Sequence, residues 1–414
     1  MQGSTSHRMR AFGLRVERLN NGHPILRPNG NWWESGVTFN PAAVLLERSE
    51  ANDPIIAGLI GSGISLNDER VRDGVVAVHY RARPLKDPGC AWNRSFIGLA
   101  VYTPTLQLLR RFDGPVLKPN EDPSSVDNLG AEDPRITRIG DVFYMVYCGV
   151  APVLRSAATD GDGNFDVEAT LCIAKSRDLI NWERILLSPG DLQVANNKDG
   201  ALFPDKSNGY YWLLHRAVDP ADDTIKAMRL ARSRHIAGPW EECGVILSAT
   251  PNPNVRRCWV GAGSVPIALD QPGKFLLLYH TGNWLTEKDR EYDVDAAIVD
   301  LSRWSADNPG DVVLHRIDRL MVPETDYEFA APVADSVGNV LFPCGSYEYR
   351  GDLYIIYGAA DTYVMASKVH KRQLLDALAA TAPDGTPATS GDGGSRAKVT
   401  VSVPAAAQTS ALAR

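Results

Sequence analysis

The chain has 414 residues, 43 basic and 50 acidic side chains, and a formal charge of −7, with 44% hydrophobic and 22% charged residues. That is the composition of an ordinary globular protein. No apolar run approaches the roughly 18 residues of a membrane-spanning helix, no apolar leader opens the chain, and no basic stripe with interleaved aromatics suggests nucleic acid.

Residues 1–8 are expected to be loose. From there the chain repeats one grammar: a run of β-branched and aromatic residues that ends in a small or polar one. The runs are VVAVHYRAR (Val75–Arg83), YMVYCG (Tyr144–Gly149), YWLLHR (Tyr211–Arg216), LLLYHT (Leu276–Thr281) and YIIYGAAD (Tyr354–Asp361). Their starts recur every 65 to 78 residues, the spacing of a copied supersecondary unit. Four are preceded by a strand-like segment and a turn rich in Gly, Asn or Pro, as in EDPRITRIGDVFYMVY, so each reads as a hairpin. The first run has its partner, FNPAAVLLERS, far upstream. Trp182 and Trp240 follow polar turns after AKSR and ARSR and are expected to pack between neighbouring units. A unit of this length fits a four-stranded blade, so the prediction is an all-β, five-bladed β-propeller over residues 9–379. A short helix is expected within Lys368–Ala380. Residues 380–414 are rich in Ala, Gly, Ser, Thr and Pro and are expected to be a disordered tail. Six scattered cysteines lack metal-ligand spacing, so free thiols in a reducing cytoplasm and no metal are expected.

A five-bladed ring brings strand ends from distant parts of the chain to one centre. At comparable phases of the repeats stand Asn40-Pro41 and Arg81, Glu132-Asp133-Pro134-Arg135, Lys198-Asp199-Gly200 with His215-Arg216, Gly261 with His280, and Asp361. Taken singly, His280 reads equally as a satisfied strand-end histidine, Arg216 as a solvated ion pair and Asp361 as a turn former. The shared phase is what favours a site. Asp133, fixed by the following proline and flanked by a carboxylate and an arginine, has the surroundings of a tuned acid. It reads equally as a strand cap with an ion pair.

The motifs FNPAAV, YRAR, EDPRI, KDxALFP, GAGxxP, LxYH and YGAADT, in this order from Asn40 to Val364, resemble glycoside hydrolase family 130. The resemblance implies a five-bladed propeller and, for most members, inverting phosphorolysis of β-mannosides to mannose 1-phosphate; a smaller group uses water. It places Asp133 as the general acid, its proton relayed through the 3-hydroxyl of the mannosyl ring. It makes Lys198, Arg216 and His280 phosphate ligands, and Asn40, Arg81, Asp199 and Asp361 contacts to sugar hydroxyls. Inorganic phosphate is then a co-substrate and no other cofactor is implied. A homo-oligomer is compatible with the resemblance.

One position departs from it. Where family phosphorylases often carry a lysine before the GAG turn, this chain has Trp259, with Arg256 and Arg257 nearby. The missing cation weakens the phosphate site, and Trp259 offers a face for a sugar instead. Three readings follow: an inverting β-mannoside phosphorylase, an inverting β-mannosidase, or a non-catalytic carbohydrate-binding propeller. A mannosidase needs a carboxylate base, for which Asp199, Asp361 and Glu328 are available.

Overall fold

The structure is a computed structural model that describes residues 14–90, 92–152, 167–190, 192, 196–217, 225–249, 257–284, 290–333 and 336–388. Five sheets succeed one another along the chain, antiparallel except for one short parallel addition, Ile225–Lys226, in the fourth. Blade one holds Val37–Leu46, Val75–Arg83, Phe96–Tyr102 and Leu108–Arg111. Blade two holds Gly130–Ile139, Val142–Pro152, Val167–Ser176 and Glu183–Ile185. Blade three holds Lys198–Leu202, Tyr211–Arg216, Met228–Ser233 and Glu241–Leu247. Blade four holds Arg257–Ala262, Lys274–Trp284, Arg290–Asp300 and Val313–Met321, with two short additions, Ile225–Lys226 and Ile267–Ala268. Blade five holds Leu341–Tyr349, Asp352–Ala359 and Tyr363–His370, and its outermost strand is Glu17–Arg18 from the other end of the chain. The predicted five-bladed propeller is therefore the fold, and the five apolar runs are the second strands of the five blades.

Those runs are uniformly apolar because both of their faces are covered. In blade one, Val75 and Ala77 pack toward blade two, while Val76, Val78, Tyr80 and Ala82 pack toward blade five. In blade four, Leu276 and Leu278 face blade five, while Phe275, Leu277 and Tyr279 face blade three. The same alternation gives the interface of blades two and three its core of Val146, Ile173, Leu202, Leu213 and Trp240. The core is thus five apolar wedges, one per blade–blade interface. Trp240 sits in one wedge and Trp182 flanks another, its ring 5.6 Å from that of His79.

Two helices complete the packing. Asp53–Ile60, between the first and second strands of blade one, buries Ile56, Leu59 and Ile60 against blade two. Lys371–Ala379, the expected terminal helix, buries Leu374, Ala377 and Leu378 on the wedge between blades four and five.

The expected tail boundary at residue 380 is too early. Thr381 is buried; its hydroxyl donates to Leu378 O (2.7 Å) and accepts from Arg316 N (3.1 Å), and it bridges Pro387. With the backbone bonds from Ala382 N to Thr386 O, Gly385 N to Ala382 O and Ala388 N to Ala380 O, these contacts hold residues 381–388 in a turn against blade four, which composition alone does not reveal. Residues 1–13 and 389–414, including the segments expected to be loose, lie outside the described residues. All six cysteines are free.

Candidate active site

The first strand of each blade lines the axis, and in blades one to three it carries the same local irregularity. Asn40-Pro41 together oppose one residue of the second strand, as do Asp133-Pro134 and Asp199-Gly200. These are β-bulges, which bend a strand and re-aim one side chain. Asn40, Asp133 and Asp199 adopt left-handed conformations, with φ of 45°, 52° and 56°. Asn and Asp tolerate that region far better than most non-glycine residues. Pro41 and Pro134 have no N–H to waste where the ladder is interrupted. Three blades therefore use one device to turn a short polar side chain toward the centre.

There the groups meet. Asn40 Nδ2 donates to Asp133 Oδ1 (2.8 Å), and Arg81 donates to the same oxygen (3.2 Å). Arg81 also pairs with Glu132 and donates to Ser95 Oγ (3.1 Å), whose hydroxyl donates to Glu132 (2.8 Å). Both donors to Asp133 converge on Oδ1, so Oδ2 faces no donor among the described residues.

Arg135 closes the centre beneath. It is 1% exposed, and its guanidinium donates to Gly263 O, Ala262 O and Asp133 O (2.9, 2.8 and 3.1 Å). It lies 3.4 Å from Asp199 Oδ1 and over the Phe342 ring. One arginine thus ties blade two to blades three, four and five.

Asp199 is the second focus. Its Oδ2 accepts from Arg216 Nε at 2.5 Å and lies 3.5 Å from His280 Nε2. Burial alone would raise this carboxyl, but Arg216, His280 and Arg135 override it and hold it well below the ordinary range. His280 is fully buried; desolvation outweighs the attraction of Asp199 and lowers its pKa. Lys198 lies across from Arg216 in register and forms no ion pair among the described residues. Asp361 follows Ala360, both at positive φ. Burial, with Asp133 nearby, pushes its carboxyl up to about 6 against the opposing pull of Arg81, Arg83 and Arg290.

Asn40, Arg81, Asp133, Asp199, Arg216 and His280 are thus joined through direct contacts and Arg135. Asp361 lies within electrostatic reach of Arg81 and Asp133, and Lys198 is placed only by its register with Arg216. Three readings need revision. Trp259 is 6% exposed and packs within an aromatic group with Trp284 and Tyr292 (5.8 and 5.2 Å), so its ring faces protein rather than an open sugar site. Glu328 is fully buried, bound by Arg18 and Tyr357 and capping the turn Asp326–Phe329, which removes it as a base. Asp199, held as the anion by its cationic neighbours, is a poor base as well. Arg256 and the side chain of Arg257 fall outside the described residues.

Sequence reasoning missed Tyr292 and Arg290. The Tyr292 ring lies 5.8 Å from that of His280, and both residues sit within electrostatic reach of Asp361. They belong to the third strand of blade four, where no motif marks them. Glu132 and Arg135 were visible only as neighbours of Asp133.

A family model for glycoside hydrolase family 130, described as β-1,4-mannooligosaccharide phosphorylase, matches residues 92–380. The chain belongs to glycoside hydrolase family 130. It is 28% identical over 354 residues to a 1,2-β-oligomannan phosphorylase of Thermoanaerobacter sp. (strain X514), covering 85% of this chain and 96% of that protein. It is 29% identical over 368 residues to a β-1,2-mannobiose phosphorylase of the same strain, covering 87% and 99%. Among solved structures it resembles the β-1,2-mannobiose phosphorylase of Listeria innocua, with a TM-score of 0.62, 21% identity, and 88% and 99% of the two chains covered. That last likeness supports the fold.

Proposed function

We propose that the protein is an inverting β-mannoside phosphorylase, yielding α-mannose 1-phosphate and a shortened acceptor sugar. The carrying observation is that Arg216 and His280 meet at Asp199, with Lys198 across from Arg216 in register and Arg135 linking Asp199 to Asp133. A phosphate dianion at the anomeric carbon requires cationic donors, and arginine grips it with two prongs. Asp199 aims the Arg216 guanidinium, and Lys198, which pairs with no carboxylate among the described residues, supplies the second charge. His280, buried beside Asp199, adds a ring nitrogen as a further hydrogen-bonding group.

In this reading Asp133 is the acid, oriented through Oδ1 by Asn40 and Arg81. Its proton passes by way of the mannosyl 3-hydroxyl to the glycosidic oxygen as the C1–O bond breaks. A phosphate oxygen bonds to C1 from the opposite face, and the hydrogen of monohydrogen phosphate restores the acid. Phosphate is already anionic, so no base is required. Asp361 and Arg81 would hold sugar hydroxyls.

The test is incubation with β-1,2- and β-1,4-linked mannooligosaccharides, with and without phosphate. Mannose 1-phosphate formed only with phosphate is expected. Free mannose at equal rates in both buffers overturns phosphorolysis in favour of hydrolysis, with Asp361 as the remaining base. Arg216→Ala is expected to raise the KM for phosphate at least about tenfold, the scale of one charge-assisted contact; an unchanged KM removes Arg216 from the anion site.

A further inference from the structure

Resting on that reading, we propose that a cleft at the outer side of blade one is a distal subsite for the acceptor end of a β-mannooligosaccharide, with Trp32 as its stacking platform. The cleft holds about 710 Å³ and is lined by Trp32, Phe96, Asn31, Arg94, Asp113 and Lys118, among others. That volume is within the range of ligand sites, and its lining mixes aromatic with polar groups, as such sites do.

Trp32 is 50% exposed, whereas its neighbour Trp33 is 3% exposed. The exposed ring is not a loose surface residue. It rides on the 3-10 turn Trp32–Glu34, and Glu34 is fully buried beneath it. Glu34 accepts from Asn29 (2.7 Å), Asn31 (2.9 Å), Tyr80 (2.7 Å) and Arg111 (2.5 Å). Trp33 Nε1 donates to Asp113 O (2.9 Å), and Phe96 meets the Trp32 ring nearly at right angles, 5.5 Å away. A buried carboxylate with four donors is a costly anchor, and here it pre-orders a turn whose only exposed aromatic points into a cleft.

The chemistry of the lining selects the ligand. The lining carries two cations, Arg94 and Lys118, and two carboxylates, Asp113 and Glu121, and Arg94 is further paired with Asp87 at 2.6 Å. A cleft with no excess of positive charge does not select an anion, and an aromatic face set among donors and acceptors suits a pyranose ring, apolar on its faces and hydroxylated at its edge.

Position selects the source. The turn before the first strand of blade one, the start of its third strand and the loop after its fourth all lie at the end of the blade where Asn40 and Arg81 stand. Ser95, next to Phe96, is hydrogen-bonded to both Arg81 and Glu132, so the cleft and the acid share one chain of contacts. Asp133 and Phe96 are joined through Arg81 and Ser95, so the subsite lies beyond the residues that touch the acid and is proposed for sugars longer than a disaccharide.

The experiment compares wild type, Trp32→Ala and Trp32→Phe on β-mannobiose and β-mannotetraose in both linkages. The ratio of kcat/KM for tetraose to that for biose is expected to fall about tenfold in Trp32→Ala, the scale of one lost stacking contact, and to stay within about twofold in Trp32→Phe. A ratio unmoved in Trp32→Ala overturns the subsite. Calorimetric titration without phosphate gives an arm independent of turnover: wild type is expected to bind tetraose more tightly than biose, and Trp32→Ala is not. Equal affinities in wild type overturn the subsite alone. Tighter tetraose binding without phosphate-dependent turnover overturns the proposed reaction and leaves the subsite standing. If neither sugar binds, both fall.

Discussion

Asp133 combines a chemical role with a conformational demand, and the two dictate how it must be tested. Its φ of 52° would cost an alanine about 1 kcal/mol or more, so Asp133→Ala confounds chemistry with strain. Asparagine tolerates the same conformation and keeps an oxygen for Asn40 and Arg81 to contact. Asp133→Asn is therefore expected to retain the melting temperature within a few degrees and to lose at least about a hundredfold in kcat, the scale of removing a general acid. Wild-type turnover in that variant assigns the acid elsewhere. The KM for phosphate is expected to move little, because Arg216 and His280 are arranged around Asp199 rather than Asp133.

At the scale of the strand, position in the ladder decides what a residue can do. Gly261 pairs with His280 across the first two strands of blade four. A Cβ there would lie 2.1 Å from Asp199 Oδ2 and 2.6 Å from the His280 ring. Gly261→Ala is expected to push both apart, raising the phosphate KM about tenfold and costing roughly 1–3 kcal/mol of stability, as overpacking does; paired phosphate titrations and urea melts check it, and an unaltered KM would show that the phosphate grip does not depend on this close approach. This glycine also shows which parts of the molecule were legible in the sequence. The five second strands announce themselves because burial on both faces makes their middles largely apolar, with polar residues such as Arg81, Arg216 and His280 in their later halves. The bulges were not read, although Asn-Pro, Asp-Pro and Asp-Gly stand at one phase. Tyr292 and Arg290 stayed hidden because a third strand shows the site only its end residues, which obey no repeated pattern. The burial of Trp259 was equally unreadable: it depends on Trp284 and Tyr292 arriving from two other strands. Glu328 looked available as a base because nothing local reveals that Arg18, from the opposite end of the chain, is its partner.

On the scale of the whole molecule, that same partnership closes the ring. Glu17–Arg18 forms the outer edge of blade five, and Arg18 reaches Glu328 (2.7 Å) while Tyr357 donates to the same carboxylate (2.6 Å). Stability so distributed is sensitive to charges buried in any one blade, and blade four holds two that oppose folding. Burial pushes Asp293 up to about 8 despite Arg319, with Glu291 and Asp295 adding to the rise. Burial likewise pushes Asp295 up to about 7 despite its bond from Thr281. Both folded values exceed the ordinary 3.8, so between about pH 4 and 8 the folded chain holds protons that the unfolded chain has released. Stability must then fall as pH rises through this window. Asp199 acts in the opposite sense, but its folded value lies well below 3.8, so its contribution is lost only in stronger acid and does not mask the effect. The melting temperature is accordingly expected to fall from pH 5 to pH 8. Asp293→Asn is expected to flatten that slope and to raise the melting temperature at pH 8, since Oδ1 of Asp293 has no hydrogen-bond partner among the described residues and Glu291 remains to pair with Arg319 (2.7 Å). A wild-type melting temperature that climbs from pH 5 to pH 8, with the variant following in parallel, would mean that these carboxyls ionise freely and that blade four is wetter at its core than its packing implies.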